Sequence, residues 1–274
     1  MGANSSAPLS SVAALHRFAV KGLERDELKD VRLEPGAAFP HDREWALRFA
    51  DSDDSEAPPA WVHKSNFLCA FTANELLGGL EPSYDDATNT LSVKRRNAAE
   101  TLLDHASLDT EEGRDLIEKL FSDLAGRSVL LVTGGELHQF GNTPAGFNAS
   151  EDLRTIHLVN ENTVAALSAA AGLDLHPERF RPNVILKGGL PAFAEFSWVG
   201  RKIRCGGAVL KVISRAVRCE ACNVDARNGA PNADVDVPAL LAQHFPMHGS
   251  YLGVYAQVVQ AGNVKLDDAV TLVD

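Results

Sequence analysis

Residues 201–229 read RKIRCGGAVLKVISRAVRCEACNVDARNG. Apolar residues flank Gly206-Gly207 on both sides, and this pattern predicts a β-hairpin that turns at the two glycines. The second strand of the hairpin runs into Arg218-Cys219 and ends among turn residues. A cysteine at this point can present a thiolate from the end of a rigid element. The stretch therefore predicts a β-rich unit with a candidate reactive group at a strand end.

Length and composition restrict the number of domains and the classes of partner that the chain can have. It has 274 residues and is 45% hydrophobic, which suits a folded protein of two domains. The net charge of −11 argues against a nucleic-acid or anionic membrane surface. The sequence has neither a signal-peptide pattern nor a membrane-length apolar run. Four scattered cysteines do not form a disulfide framework, and we expect a cytoplasmic protein without membrane or nucleic-acid partners.

Short apolar runs bounded by turn residues predict strands along the whole chain. They cover residues 12–20, 44–49, 91–93, 129–132, 184–186, 251–259 and 270–273. A helix is predicted after Asp109, which lies three residues before Glu112 as in a capping box, and Gly126 ends it. A second helix should span 161–171, with Asn160 as its cap and Gly172 as its stop. Asp236 can cap a short third helix with Pro238 in its first turn.

Many strands and few helices predict a mainly β, α+β protein built from barrels or sandwiches. Residues 1–10 form a disordered tail in this interpretation. An N-terminal β-barrel-like domain covers 11–145 and a C-terminal β-barrel domain covers 146–274. The polar, glycine-containing segment 140–150 is the predicted connector.

Cys219 and Cys222 leave two interpretations open. A deprotonated cysteine is a soft metal ligand, and neighbouring Arg215 and Arg218 would favour the thiolate. A zinc site needs a second cysteine pair, which the widely separated Cys69 and Cys205 do not provide. Alternatively, both thiols are buried packing groups, as many free cysteines are.

Three cationic segments could bind an anion. In Arg179-Phe180-Arg181-Pro182-Asn183 an extended backbone would point both arginines the same way, and arginine binds phosphate or carboxylate in a bidentate manner. Lys21-Gly22 ends the first strand, and Asp42-Arg43 precedes a later one. The alternatives are a solvated charged strand for the first segment and surface turns for the other two.

Taken in order, these segments resemble the MOSC family, named for the C-terminal domain of molybdenum-cofactor sulfurase. The likeness is to its two-domain members, which include the mitochondrial amidoxime-reducing component and its bacterial relatives. It covers about residues 12–274. The matching segments are Ala19-Val20-Lys21-Gly22, Asp42-Arg43-Glu44-Trp45, Asn160-Glu161, Arg179 to Asn183 with the strand after it, Glu195 to Trp198, Arg218-Cys219, Val224-Asp225 through Gly229, and Tyr251 to Tyr255.

The resemblance implies a molybdenum cofactor, in which a pterin dithiolene and one protein cysteine hold the metal. Cys219 occupies the ligand position, as catalytic and metal-binding residue. The positions expected to contact the cofactor are Lys21, Gly22, Arg43, Arg181, Asn183, Arg218 and Asp225. The family is also associated with binding of pyridoxal phosphate.

The resemblance further implies an oxidoreductase that reduces small N-hydroxylated substrates, such as amidoximes and hydroxylamino bases. Because the chain has no cysteine-rich ferredoxin extension, its electrons would come from a separate ferredoxin, flavoprotein or cytochrome-type donor. The alternative from another class is a molybdenum-cofactor carrier or sulfur-transfer protein that uses Cys219 without redox turnover. A third is a scaffold that kept the fold without the cofactor.

Three positions depart from the family pattern. Gly22 stands where the family has serine, so a hydroxyl contact is lost. Asp267-Asp268 occupies the position where the family usually has Gly-Asp. At the position of Cys222 the family often has threonine. Cys222 could be a second thiol near the metal, a sulfur-transfer partner or a packing residue.

Overall fold

The computed structural model describes residues 9–52, 62–70, 72–134, 140, 154–225 and 235–273. Its largest sheet is a closed barrel of seven strands. In chain order the barrel strands are β1 (Ser10–Arg17), β10 (Ile156–Asn160), β11 (Val184–Lys187), β12 (Lys202–Cys205), β13 (Ala208–Val217), β14 (Tyr251–Gln260) and β16 (Ala269–Val273). Around the barrel they follow the order β11-β10-β14-β13-β12-β16-β1.

The barrel closes through its first strand. β1 pairs antiparallel with β11, where Val12 lies opposite Leu186 and Leu15 opposite Val184. The other edge of β1 pairs with β16, so the sheet has no free edge at this point. The closing strand therefore comes from the start of the chain, whereas the other six strands follow residue 154.

The remaining elements form what we call the N-terminal module. One three-stranded sheet joins β2 (Val20–Lys21), β5 (Trp45–Phe49) and β9 (Val129–Thr133). A second joins β6 (Leu80–Asp85), β7 (Thr90–Arg95) and β8 (Thr101–Ser107). Helices α1 (Asn74–Gly78) and α2 (Glu111–Ala125) complete the module, and the buried side chains of α2 include Ile117 and Phe121.

Short polar strands link the two parts. β3 (Asp26–Leu28) pairs with β1, and β4 (Asp30–Leu33) pairs with β15 (Gly262–Lys265). Helices α3 (Glu161–Ala171) and α4 (Val237–His244) lie beside the barrel and contact each other. None of the described helices is long and apolar enough to cross a membrane.

Two separate hydrophobic cores follow from this division. The barrel core contains large buried side chains such as Trp198 and Phe180. The module core contains Leu47, Ile117 and Phe121. The predicted mainly β class with a few helices is confirmed. Of the predicted connector 140–150, only Phe140 is among the described residues, and the division at residue 145 stays a prediction.

Most local predictions match the structure. The hairpin turns at Gly206-Gly207, as the glycine pair predicts. α3 has Asn160 as its cap, with the side chain accepting a hydrogen bond from Asn162 N, and Gly172 ends it with a φ of +67°. The side chain of Asp236 caps α4 by accepting from Ala239 N.

Two local predictions were wrong. The cap of α2 is Thr110, whose hydroxyl accepts from Gly113 N, while the Asp109 carboxylate accepts from Asn89 instead. The first predicted strand is split, because β1 ends at Arg17 and β2 begins at Val20. Between them Phe18 N donates to the buried Asp42 carboxylate at 2.8 Å, so the chain passes from the barrel to the module at Phe18.

Candidate functional site

A cleft of about 160 Å³, partly open to solvent, lies where the module meets the barrel. Lys21, Arg43 and Cys69 line it from the module, while His157, Arg181 and Cys219 line it from the barrel. Its described lining includes six cationic side chains and no carboxylate: Lys21, Arg43, Lys64, Arg179, Arg181 and Arg218. In a chain with a net charge of −11, this local concentration of positive charge identifies the cleft as an anion site.

Lys21 reaches the cleft from the end of β2. Its Nζ donates to the carbonyl of Phe140 at 3.4 Å and lies 5.4 Å from the centre of the Phe67 ring. Burial lowers the pKa of Lys21 to about 8, and the nearby charges of Arg43 and Arg181 act in the same direction. An anion bound beside Lys21 would relieve this repulsion.

Phe18 holds two of the arginines. The guanidinium carbons of Arg43 and Arg181 lie 4.6 Å and 4.1 Å from the centre of its ring, which are cation–π distances. Arg43 also forms an ion pair with buried Asp42 and donates to the carbonyl of Arg181 at 3.1 Å. Burial lowers the pKa of Arg181 to about 10, with Arg43 adding to the effect.

The backbone of the Arg179–Arg181 run differs from its prediction. Residues 177–180 form a 3₁₀ turn, and Arg181 has a left-handed φ of +53° rather than an extended conformation. Two hydrogen bonds hold Arg181 there, from its N to Glu178 O at 2.9 Å and from its Nη2 to Leu23 O at 2.6 Å. Tertiary contacts therefore outweigh the local bias of Pro182, and both arginines still face the cleft.

Arg218 is buried under the barrel side of the cleft. Its guanidinium donates to the Phe180 carbonyl at 3.1 Å and to the Tyr255 hydroxyl at 3.2 Å. Burial lowers the pKa of Arg218, but Tyr255, Cys222 and Cys219 outweigh it and leave the pKa raised. Arg218 therefore stays charged. The other expected neighbour of the thiol, Arg215, stacks over Phe196 at 4.6 Å and is not among the cleft-lining residues.

Cys219 follows β13 and is the exposed one of the four cysteines. It is the N-cap of a 3₁₀ turn, Glu220–Asn223, and buried Cys222 lies within that turn. Burial raises the pKa of the Cys222 thiol, while Arg218 acts in the opposite direction. The described residues contain no group of three or more His, Cys, Asp or Glu that could hold a metal ion. A metal at Cys219 would thus need other ligands from a cofactor.

Two predicted contacts lie behind the cleft lining. The Asn183 amide accepts from His157 N at 3.0 Å and donates to His16 O at 3.2 Å, so it joins backbone segments of the barrel. Asp225 lies 3.7 Å from Arg179 as a charge partner. The structure thus brings five of the seven predicted cofactor contacts to the cleft, namely Lys21, Gly22, Arg43, Arg181 and Arg218, together with Cys219.

Four further lining residues carried no site prediction: Lys64, Cys69, His157 and Tyr255. Lys64 and Cys69 come from an irregular segment before α1, where no periodic pattern marks them. Burial lowers the pKa of His157 well below its usual value, with Arg218 adding to the effect, so this ring is neutral. The sequence carried a signal for only one of these four residues. Tyr255 is the last residue of the segment Tyr251 to Tyr255, which resembles the family pattern.

One family of known proteins matches the C-terminal part of the chain. The MOSC domain family matches residues 139–271. Among solved structures, the YUAD protein from Bacillus subtilis is 13% identical with a TM-score of 0.44, over 95% of this chain and 93% of that one. YiiM from Geobacillus stearothermophilus is 19% identical with a TM-score of 0.33, over 43% of this chain and 54% of that one.

YiiM from Escherichia coli is 21% identical with a TM-score of 0.30, again over 43% of this chain and 54% of that one. The chain thus spans about half the length of either YiiM protein. No curated protein matches the chain. Residues 139–271 thus match the MOSC domain family, whose members are associated with the molybdenum cofactor.

Proposed function

We propose that this protein binds the molybdenum cofactor and reduces small N-hydroxylated substrates with electrons from a separate donor protein. The observation that carries the proposal is the joint position of one exposed thiol, Cys219, and a cluster of cations in the same cleft. A phosphate-bearing pterin needs the cations, and a metal held by its dithiolene needs one further soft ligand. The donor set of the cleft fits both needs.

The cations are suited to the phosphate end of the cofactor. Arg43 and Arg181 are fixed by Phe18 and by backbone carbonyls, so their guanidinium groups are ordered before a ligand arrives. Such preorganisation reduces the entropy lost on binding. Lys21 adds a third charge, whose burial among like charges favours an anionic partner.

Cys219 is suited to the metal. As a thiolate it would act as the protein ligand, in the cleft that buried Arg218 also lines. The cofactor supplies the two-electron redox chemistry when bound. Pyridoxal phosphate would use the same cations without needing a thiol, so the position of Cys219 favours the molybdenum cofactor.

The test is metal content and turnover measured together. The full chain is expressed in a host that makes molybdenum cofactor, and bound molybdenum and reduction of a hydroxylamino purine by a chemical donor are measured. We expect molybdenum near one equivalent and turnover. Molybdenum without turnover would instead support the carrier or sulfur-transfer alternative. Folded protein without molybdenum would leave only the cofactor-free scaffold.

Cys219→Ser separates a ligand from a packing residue. Loss of a group that hydrogen-bonds to a metal ligand costs about 10- to 100-fold in affinity or activity, so loss of the ligand itself should cost at least as much. Cys205→Ala is the matched control, because Cys205 is fully buried in the barrel core and should leave turnover unchanged. Equal activity of Cys219→Ser and the unmutated protein would contradict the proposed role of Cys219.

A further inference from the structure

Cys219 and Cys222 occupy two positions of one turn that face each other. Cys219 is the N-cap of the 3₁₀ turn Glu220–Asn223, and Cys222 is its third residue. Cys222 N donates to Cys219 O at 3.0 Å. In a capping box the side chains at these same two positions reach toward each other's backbone. The thiols of Cys219 and Cys222 both line the cleft.

The hydrogen bond from Cys222 N to Cys219 O keeps the two Cα atoms close to each other, as a disulfide requires. A turn closed by an i to i+3 hydrogen bond keeps its end Cα atoms within about 7 Å of each other. Disulfides join Cα atoms that are roughly 4.4–6.8 Å apart. The two ranges overlap, so the turn is compatible with a disulfide between its end residues.

Hydrogen bonds from three sides hold the turn in place. Arg179 Nη1 donates to Cys222 O at 3.1 Å, and Arg218 N donates to Ser250 O at 2.8 Å. The Asn223 amide oxygen accepts from Val237 N at 2.9 Å, which ties the turn to α4. A covalent link within the turn thus needs no rearrangement of the surrounding fold.

The two thiols differ in access. Cys219 is exposed, whereas Cys222 is 6% exposed, and both line the cleft. A small oxidant can therefore reach Cys219 first, and Cys222 can react with the product from inside the fold. The remaining cysteines are less suited, because Cys205 is fully buried and the Cys69 S–H donates to the Lys64 carbonyl.

We propose that Cys219 and Cys222 form a reversible disulfide that switches the cleft off by removing its exposed thiol. The oxidant is a low-molecular-weight disulfide such as oxidised glutathione. The Cys219 thiolate attacks one of its sulfurs and releases one glutathione thiolate. The Cys222 thiolate then attacks the Cys219 sulfur of the mixed disulfide and releases the second. Two protein thiols are oxidised, and one glutathione disulfide is reduced to two glutathione molecules.

The effect on the cleft rests on the proposed function, whereas formation of the disulfide does not. A sulfur bonded to Cys222 has no thiolate to offer a metal. The oxidised protein should therefore bind the cofactor at least tenfold more weakly, although the cations around the cleft are unchanged.

The first experiment uses the full chain without cofactor. Protein is equilibrated with oxidised glutathione, alkylated and analysed by peptide mass spectrometry. We expect the peptide with Cys219 and Cys222 to lose two hydrogens and resist alkylation, Cys69 and Cys205 to be alkylated, and dithiothreitol to reverse the change. Alkylation of both Cys219 and Cys222 after oxidation would overturn the proposal.

Variants identify the order of the two steps. Cys222→Ser should stop after the first step and keep one glutathione on Cys219, and Cys222→Ala serves if serine disturbs the buried position. Cys205→Ala should still form the disulfide. Glutathione that stays on Cys219 of the unmutated protein, at the level seen in Cys222→Ser, would show that Cys222 does not resolve it.

The second experiment measures molybdenum uptake by reduced and oxidised protein. We expect oxidation to reduce uptake at least tenfold in the unmutated protein, with full recovery after dithiothreitol. Full uptake despite a complete disulfide would overturn the switch while leaving cofactor binding intact. A complete disulfide with no uptake in either state would instead contradict the proposed function.

Discussion

Gly22 shows how one residue can depart from a family pattern for a packing reason. Its φ is +90°, and a Cβ at this position would lie 2.7 Å from Cys69 Cα and 3.0 Å from the Leu68 carbonyl. The serine expected from the family has no room there. Because Cys69 packs closely against Gly22, just after β2, its thiol lines the cleft together with those of Cys219 and Cys222.

We predict that Gly22→Ala destabilises the protein by about 3 kcal/mol, since overpacking and a strained φ both contribute. Gly36→Ala is the matched control, because Gly36 also has a positive φ of 71° but nothing within 4 Å of the added methyl group. It should cost only about 1 kcal/mol. Urea unfolding of both variants measures the difference. Equal losses would mean that the contact with Cys69 is not tight.

Lys21 should make anion binding depend on pH. Its pKa is lowered to about 8 by burial and by Arg43 and Arg181, so it loses its charge as the pH rises through that value. Binding of inorganic pyrophosphate to the cofactor-free protein should therefore weaken between pH 7 and pH 9, as calorimetry can measure. Lys21→Arg should remove this dependence, because arginine stays charged. The same pH dependence in Lys21→Arg would assign it to another group.

Among the individual elements, α2 has its N-cap one residue later than the sequence predicts. Thr110 caps the helix through Gly113 N at 3.1 Å, whereas Asp109 accepts from the Asn89 amide. Gly113 is buried, and a Cβ there would lie 2.1 Å from the Ser107 carbonyl, so the first turn of α2 packs directly on β8.

Thr110→Ala should destabilise the protein by about 1 kcal/mol, the usual cost of removing a cap hydroxyl. Thr110→Ser keeps the hydroxyl and is the control, with a smaller expected loss. Thermal unfolding followed by circular dichroism compares the two variants. An Ala variant as stable as the Ser variant would show that Thr110 does not act as the cap.

Other elements escaped prediction for a common reason. β3 and β15 are three or four residues long and mostly polar, whereas β4 alternates exposed polar residues with buried Val31 and Leu33 but is only four residues long. Their partners come from distant parts of the chain, as in the pairing of Val31 with Val264. Such strands depend on the tertiary fold more than on their own sequence.

At the scale of the whole molecule, Arg17 joins the barrel to the N-terminal module. It is the last residue of β1, and its guanidinium contacts Asp86 at 2.9 Å and Asp26 at 3.5 Å. The same group lies 4.7 Å from the centre of the Tyr84 ring. This buried network holds together the two parts that form the cleft.

We predict that Arg17→Met destabilises the protein by about 3 kcal/mol, because it removes a buried cation from Asp26, which is only 16% exposed, while Asp86 is 56% exposed and contributes less. Arg32→Met is the control, since the pair of Arg32 and Glu34 is exposed and should contribute less than about 1 kcal/mol. Denaturant unfolding compares the variants. A loss as small for Arg17→Met as for Arg32→Met would show that this network does not couple the two parts.

The sequence by itself determined the local features. Asn160 and Gly172 bound α3, Gly206-Gly207 turns the hairpin, and short apolar runs mark the barrel strands other than β10, because each depends on residues only a few positions apart. The family motifs also indicated Cys219 and most of the cations. The ordering of Arg43 and Arg181 by Phe18, the approach of Cys69 to Gly22, and the closure of the barrel by β1 depend on residues far apart in the chain. Only the tertiary structure decides such contacts, because they form when distant elements pack against each other.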